Sequence, residues 1–406
     1  MPNFPTLNAM DVRDKRVLLR ADLNVPVKDG FVTDATRIER LAPTITALID
    51  KGAKVIVMSH FGRPKGKPDP DFSLQPLVGP LRKAIGGREV VFATDCIGEE
   101  AKRVVGGLRP GQVALLENLR FHKGEEENSP DFARALAELG EVYVDDAFSA
   151  AHRAHASIDA LARLLPAAAG KLMEAELAAL TAALDTPKRP LLALIGGAKV
   201  STKLELLRFL IGKVDVLAIG GAMANTLLMA EGRGVGRSLC EHDMAETARQ
   251  LLALARERNR RVILPEDAVV ASELVSGAAT REVAVDAVPS DAMILDIGSK
   301  TVARIGMALD EARSLVWNGP LGAFETPPFD RGTVAVAKKA ADLTRAGKLL
   351  SVAGGGDTVA ALAAAGVGDE LSYVSTAGGA FLEWLEGREL PGVAALMAAH
   401  AQRARK

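Results

Sequence analysis

Pro190-Leu191-Leu192-Ala193-Leu194-Ile195-Gly196-Gly197-Ala198-Lys199-Val200-Ser201-Thr202-Lys203 is an apolar run that stops at two glycines and leads into a helical pattern. A short run with no polar alternation fits a strand buried on both faces, the kind found in parallel sheets. Glycines at its exit let the backbone approach a phosphate, with free N–H groups and the helix dipole facing it. Working outward, the same pattern recurs. Before it lie Arg16–Arg20, Lys54–Ser59, Glu89–Ala93, Gln112–Leu116 and Glu141–Val144. After it lie Val214–Ile219, Arg261–Leu264, Met293–Ile297, Ser314–Trp317, Lys348–Ala353 and Leu371–Ser375. Each is followed by a helical stretch, so the units are βαβ and the fold class is α/β. Twelve strands exceed what one strongly twisted open sheet carries. The expectation is two lobes, each a doubly wound, mainly parallel sheet with helices on both faces.

The division is expected in 165–190, giving a first lobe over residues 1–170 and a second over 171–389 that includes an interdomain helix. Pro166 and Gly170 precede Lys171–Leu184, with Met173, Leu177, Leu180 and Leu184 on one face and Asp185, Thr186 and Pro187 as a stop. This segment reads as a hinge helix or as an ordinary crossover helix. Residues 390–406 carry a further helix, expected to pack back onto the first lobe.

Composition narrows the function. Of 406 residues, 48% are hydrophobic and 25% charged, and 50 Lys and Arg offset 51 Asp and Glu. No bulk field exists to hold nucleic acid or a membrane surface, so an anion site must be built locally. Cys96 and Cys240 are distant and form no CxxC pattern, which argues against disulfides and a cysteine zinc site. The N-terminal stretch lacks a signal-peptide core, and no run reaches the roughly 18 apolar residues of a membrane span. A cytoplasmic protein is expected.

Ligands of open parallel sheets bind beyond the carboxyl ends of the strands, and there the two halves differ. The first half places charge: Arg20, Asp22 and Asn24; His60, Gly62 and Arg63; Glu117, Asn118 and Arg120; then Asp145, Asp146, His152, Arg153 and His155. Arg37 lies in the first turn of a helix that Asp34 or Thr36 caps. Arg37, Arg63, Arg120 and Arg153 with His60 suit a phosphate and a carboxylate, since guanidinium binds both bidentately. His152 and His155 lack a third partner at metal-ligand spacing and read as packing or hydrogen-bonding residues. The second half places glycine: Gly196 and Gly197, Gly220 and Gly221, Gly354 to Gly356, Gly378 and Gly379. Lys199 and Lys203, four apart, are expected on one helix face, where an anion would relieve their repulsion. Asp357 either caps a helix or holds the magnesium of a nucleotide. No Walker A loop, dinucleotide fingerprint, G-x-S-x-G elbow, HExxH or protein-kinase motif set occurs.

With those motifs in order, the chain resembles the phosphoglycerate kinase family over essentially its whole length. The resemblance rests on Arg20–Pro26, Ser59–Pro64, Leu116–Phe121, Asp145–Phe148 with Ala151–His155, Gly196–Val200 with Lys203, Trp317–Glu325 and Gly354–Thr358. It implies two Rossmann-like lobes joined by a hinge helix. It also implies the reversible reaction of 1,3-bisphosphoglycerate with ADP to give 3-phosphoglycerate and ATP, in a monomer that closes on its substrates. Asp22, Asn24, Arg37, His60, Arg63, Arg120 and Arg153 would hold the phosphoglycerate. Gly197, Ala198, Lys203, Gly221, Asn318, Glu325 and Gly355, Gly356, Asp357 and Thr358 would hold the nucleotide, with Asp357 toward Mg2+. Arg37, Lys199 and N–H groups near Gly356 and Gly379 would stabilise the transferring phosphoryl.

Three positions depart from the family's commonest motifs: Ala377 and Ser149 where many members have Gly, and Phe381 where many have Ser. Gly378 and Gly379 are expected to supply the backbone freedom that Ala377 lacks. A kinase or ligase for another small carboxylate is the alternative enzyme. A silent nucleotide-binding scaffold is the alternative outside enzymes, although Arg37, Lys199, Lys203 and Asp357 are all present.

Overall fold

The computed structural model describes residues 4–28 and 30–403. The chain divides into two compact units, one ending at Leu177 and taking in the chain from Glu389 onward, the other Ala178–Arg388. The expected division after residue 170 falls seven residues earlier, at the start of the helix Lys171–Leu180; the observed one lies inside that helix. Met173, Leu177, Leu180 and Leu184 are all buried, and the helix ends in a π turn over Thr181–Asp185.

The first unit contains a six-stranded parallel sheet of β1 (Arg16–Arg20), β2 (Lys54–Met58), β3 (Val90–Ala93), β4 (Val113–Leu116), β5 (Val142–Asp145) and β6 (Ala167–Ala169). Their order across the sheet is β3-β4-β2-β1-β5-β6. Every residue of β4 and β5 is buried, so both sheet faces are covered, as their unbroken apolar runs require. One face packs Val17, Leu19, Val55, Val57, Val113 and Leu115 against Ile38, Leu41, Ile45 and Leu48 of the helix Thr36–Asp50. The helix Pro391–Arg403 packs on β6 and the helix Ala160–Leu164, and Gly392 N–H donates to the Ala151 carbonyl at 2.9 Å.

The second unit contains β7 (Leu191–Ile195), β8 (Val216–Ile219), β9 (Arg261–Ile263), β10 (Asp267–Ala271), β11 (Arg281–Ala284), β12 (Met293–Ile297), β13 (Ser314–Asn318), β14 (Leu350–Gly354) and β15 (Tyr373–Ser375). The parallel sheet runs β9-β8-β7-β13-β14-β15, which reverses direction between β7 and β13. Such a reversal opens a crevice at the carboxyl ends of the two strands. The expected strand Met293–Ile297 forms, but not in this sheet. It pairs antiparallel with β10, which pairs antiparallel with β11, as a separate three-stranded sheet.

At the reversal the backbones nearly touch. Gly196 N–H donates to the Asn318 carbonyl at 2.9 Å, and a Cβ at Gly196 would lie 1.8 Å from the Pro320 carbonyl oxygen. No flexible side chain can yield there, because the obstacle is backbone. Gly196→Ala should therefore destabilise the second unit by about 3 kcal/mol through overpacking. Urea unfolding followed by Trp317 fluorescence measures it, and an unchanged midpoint would mean that the two strand ends separate at little cost.

Candidate functional site

Four strand ends of the first unit deliver its polar residues to one edge. After β1, Asp22 accepts Asn24 N–H on Oδ1 at 3.0 Å and Arg37 Nη1 on Oδ2 at 2.8 Å. Arg37 also donates to the Asn24 carbonyl at 3.0 Å. Asn24 Oδ1 accepts Gly62 N–H at 3.0 Å, which ties this loop to the one carrying Arg63. Arg63 itself is exposed. Arg120 donates from Nη1 to the Gly62 carbonyl at 2.7 Å, and its turn is held by Asn118 Oδ1 accepting Arg120 N–H at 3.0 Å. Asp34, rather than Thr36, closes the entry to the Arg37 helix by accepting Thr36 N–H at 2.9 Å.

Beneath this surface lies Arg20, which the sequence places at a strand end without revealing its partners. Arg20 is fully buried, donating to Ser157 Oγ at 2.8 Å and the Ala21 carbonyl at 2.5 Å, with His60 Nδ1 at 3.1 Å. Glu125, also fully buried, lies 3.9 Å from it and accepts both the N–H and the hydroxyl of Ser157. A buried guanidinium is tolerated only with such partners. A charged residue at the end of a strand reads as solvated, and only its tertiary partners reveal otherwise.

The field of these arginines decides the state of the imidazoles. Burial, reinforced by Arg20, Arg120 and Arg153, pushes His60 well below its ordinary pKa. The same causes, burial first, bring His155 down to about 3. Burial and the neighbouring Arg153 guanidinium also lower Arg120. The positive charge of this edge is therefore carried by guanidinium, while His60 and His155 stay neutral and offer hydrogen bonds. His152 serves as a partner of Arg153, whose Nε lies 3.2 Å from its Nε2.

In the second unit a cleft of about 360 Å³ is lined by Gly197, Ala198, Gly221, Phe324, Glu325 and Asp357, with Met293, Leu295 and Leu321 supplying apolar wall. Lys203 stands beside it, donating to the Gly196 carbonyl at 2.5 Å and Asn318 Oδ1 at 2.7 Å. Burial lowers its pKa to about 8, against the opposing pull of Asp357. Asn318 Nδ2 donates to the Gly354 carbonyl, and Thr358 Oγ1 accepts Gly319 N–H at 2.7 Å. Asn318 and Thr358 are thus buried and occupied in holding the loops. Lys199 is exposed and lies before the turn Ser201–Lys203, and the α-helix begins only at Leu204. The expected shared helix face of Lys199 and Lys203 does not exist, because the chain enters the helix through a 3-10 turn.

Asp357 occupies the second position of the helix Gly356–Ala364, whose N-cap is Gly355 and has no side-chain cap. Its exposed carboxylate has no hydrogen-bond partner among the described residues and lies close enough to Lys203 to raise that ammonium's pKa. An unengaged oxygen donor of this kind suits a hard cation.

The three departures have physical explanations. Gly378, with φ +57°, takes the positive-φ position of the turn, and Ala377 is not among the positive-φ residues. Phe381 is buried with its ring against Gly354, where a Cβ would lie 2.7 Å from it. Ser149 donates its hydroxyl to Asp22. One mixed cluster escaped the CxxC test: Asp95, Cys96 and His122 bring their donor atoms within 4.8 Å of one another. His122 Nε2 is 2.7 Å from Asp95 Oδ1, and its ring stacks on Phe132.

Residues 7–388 match the family model described as phosphoglycerate kinase. A phosphoglycerate kinase of Methylorubrum extorquens (strain PA1) is 63% identical over 399 residues, covering 98% of this chain and 100% of the relative. One of Chelativorans sp. (strain BNC1) is 62% identical over 397 residues, with coverage of 98% and 100%. Among solved structures, phosphoglycerate kinase from Coxiella burnetii matches with a TM-score of 0.91 at 42% identity, covering 99% of this chain and 100% of that one. The Pyrococcus horikoshii OT3 enzyme matches with a TM-score of 0.79 at 30% identity, covering 98% and 100%.

The neutral histidines make stability depend on pH. Below 6.5 the unfolded chain takes up protons that native His60 and His155 refuse, so their contribution is present above 6.5 and lost as pH falls toward 3. Buried Asp145 and Asp296, at about 7, and Asp146, at about 6, act oppositely: their contribution is present below 3.8 and lost as pH rises through 6 to 7. Comparison with His155→Gln cancels the carboxylates. Between pH 6.5 and 4.5 the wild type should lose about 2 kcal/mol more than the variant. Urea unfolding at both pH values measures this, and a difference independent of pH would mean that His155 is protonated in the native state.

Proposed function

We propose that this chain, which belongs to the phosphoglycerate kinase family, holds 3-phosphoglycerate on the arginine-rich edge of its first unit and MgATP in the cleft of its second. It is a phosphotransferase with a carboxyl group as acceptor, and its reaction is the glycolytic one: 1,3-bisphosphoglycerate and ADP are interconverted with 3-phosphoglycerate and ATP. The observation that carries the substrate assignment is the gathering of Arg120 and Arg153 beside histidines that stay neutral, with Arg37 tied to the same loops through Asn24 and Gly62. Fixed guanidinium charge of this kind suits the phosphate and carboxylate of one small polyanion better than a titrating site would.

In this reading Asp22 and Asn24 take the hydroxyl region of the phosphoglycerate, and Arg63, Arg120, Arg153 and His60 its phosphate. Gly197, Ala198, Gly221 and Glu325 line the space for the nucleoside. Lys203 and the N–H groups of Gly355, Gly356 and Asp357 face the phosphates, with Asn318 and Thr358 fixing those loops. The Asp357 carboxylate holds the magnesium, whose charge offsets that of the phosphate oxygens. An acyl phosphate is already a reactive donor, so no covalent relay is needed. Direct transfer requires the two ligands to meet in line with water excluded. Arg37, Lys199 and N–H groups near Gly356 and Gly379 neutralise the equatorial oxygens as the phosphoryl passes. We take the enzyme to act as a monomer in the cytoplasm, on small molecules and not on nucleic acid.

The test is ADP formation from MgATP with and without 3-phosphoglycerate, the acyl phosphate being drawn off by a coupling enzyme. Turnover that depends on 3-phosphoglycerate is expected. Folded protein that binds MgATP but turns over only with another carboxylate would overturn the substrate assignment. Lys199→Ala should lower kcat by about 100-fold with little change in either KM, since its contact would strengthen only in the transition state. A loss confined to KM contradicts that role. Arg63→Ala should weaken 3-phosphoglycerate binding by calorimetry and leave MgATP binding within twofold, and the reverse pattern would exchange the two sites.

A further inference from the structure

Asp22 is held by three donors from three separate pieces of chain. Its Oδ1 accepts the N–H of Asn24 from its own loop, and its Oδ2 accepts Arg37 Nη1 from the helix Thr36–Asp50. The same Oδ2 accepts the hydroxyl of Ser149 at 2.5 Å, from the turn Phe148–Ala150 that follows β5. We propose that Ser149 is a positioning residue for the phosphoryl-transfer reaction, fixing the Asp22 carboxylate and through it the guanidinium of Arg37. This rests on the assignment of Asp22 and Arg37 to the substrate site.

The physical case lies in what else could fix Arg37. It sits in the first turn of its helix, where a cation opposes the macrodipole, so the helix does not favour its charge there. Its side chain remains 38% exposed, whereas that of Asp22 is only 10% exposed. Among the described residues its anchors are Asp22 Oδ2 and the Asn24 carbonyl, both from one loop. The backbone of that loop is anchored, with Ala21, Leu23 and Val25 buried, but a carboxylate side chain turns about two bonds, so the Asp22–Arg37 pair alone would leave both side chains free to turn together.

Ser149 removes that freedom by tying Asp22 to a different element. The turn it belongs to is well packed: Ala147, Phe148 and Ala150 are each at most 2% exposed. Asp145 Oδ1 accepts the Ala147 N–H at 3.0 Å, and Ala150 N–H closes the turn on the Ala147 carbonyl at 2.9 Å. The hydroxyl therefore transmits the rigidity of β5 to a carboxylate that follows β1. Hydrogen bonds to ionised acceptors are about twice as strong as neutral ones, which makes the tie effective despite the partial exposure of Ser149. Alignment carries much of the rate in a reaction without a covalent intermediate, and small displacements of a catalytic group are costly.

Ser149→Ala removes the hydroxyl alone. It should lower kcat/KM for 3-phosphoglycerate about tenfold, leave KM for MgATP within twofold and shift Tm by no more than a few degrees. In an Asp22→Ala background the same substitution should change kcat/KM by less than twofold, because the group it positions is gone. Equal losses in both backgrounds, or a lowered Tm with unchanged kinetics, would overturn the proposal. A crystal structure of Ser149→Ala decides independently of turnover: Asp22 should rotate and its bond to Arg37 lengthen or break. An Asp22–Arg37 pair unchanged at 2.8 Å would overturn it, whereas absence of any 3-phosphoglycerate-dependent turnover in the wild type would overturn the functional assignment instead.

Discussion

A parallel sheet covered on both faces leaves polar chemistry no place except the ends of its strands, and both units of this chain obey that constraint. Residues within β4, β5, β7, β8 and β13 are buried throughout. Almost none of them can bear a functional group without leaving it unpaired away from water. The polar side chains therefore start at the last residue of a strand, as with Arg20 and Asn318, or in the loop that follows it. The units answer the constraint differently. The first extends arginine, histidine and carboxamide side chains, and the second brings in backbone, with Gly196 and the Pro320 loop pressed together at the reversal of strand order. In the proposed reading one edge binds by side-chain charge and the other mainly by shape and amide N–H groups.

Charge at the first edge needs support from below. Arg20, Glu125 and Ser157 form a buried layer under the exposed arginines. Removing Arg20 or Glu125 would leave an uncompensated buried charge and cost several kcal/mol, so the layer acts as a fixed foundation. Burial, reinforced by Arg20 and by the arginines above it, keeps His60 and His155 neutral. In the second unit burial lowers the pKa of Lys203 to about 8, and the Gly196 carbonyl and Asn318 keep it aimed.

Much of this was legible because apolar runs reveal doubly buried strands. All twelve runs are strands, and Arg16–Arg20 and Met293–Ile297 match to the residue. What escaped has identifiable reasons. β6 is three alanines, which carry no β-branched or aromatic signal, and β11 is an exposed, polar edge. The placement of Met293–Ile297 in an antiparallel sheet depends on pairing with β10, a long-range fact that periodicity does not encode. At the sites, residue types and order singled out strand ends that the structure gathers along one edge of the first unit and around one cleft of the second. Local spacing failed for Lys199 and Lys203, where a 3-10 turn replaces helix, and for Arg20, whose partners lie 40 and 137 residues away. The capping role open to Asp357 is not taken up, and its free carboxylate was not readable from a loop of glycines.

The central claim is that the two ligands are recognised by different physics, one by guanidinium charge and the other by backbone and apolar surface. Calorimetric titration of 3-phosphoglycerate and, separately, of MgADP at low and at moderate salt tests it most directly, since salt screens exposed charge far more than buried contact. The account predicts that each ligand binds alone and that raising the salt weakens 3-phosphoglycerate severalfold more than MgADP. Equal salt sensitivity, or failure of 3-phosphoglycerate to bind without nucleotide, would contradict it.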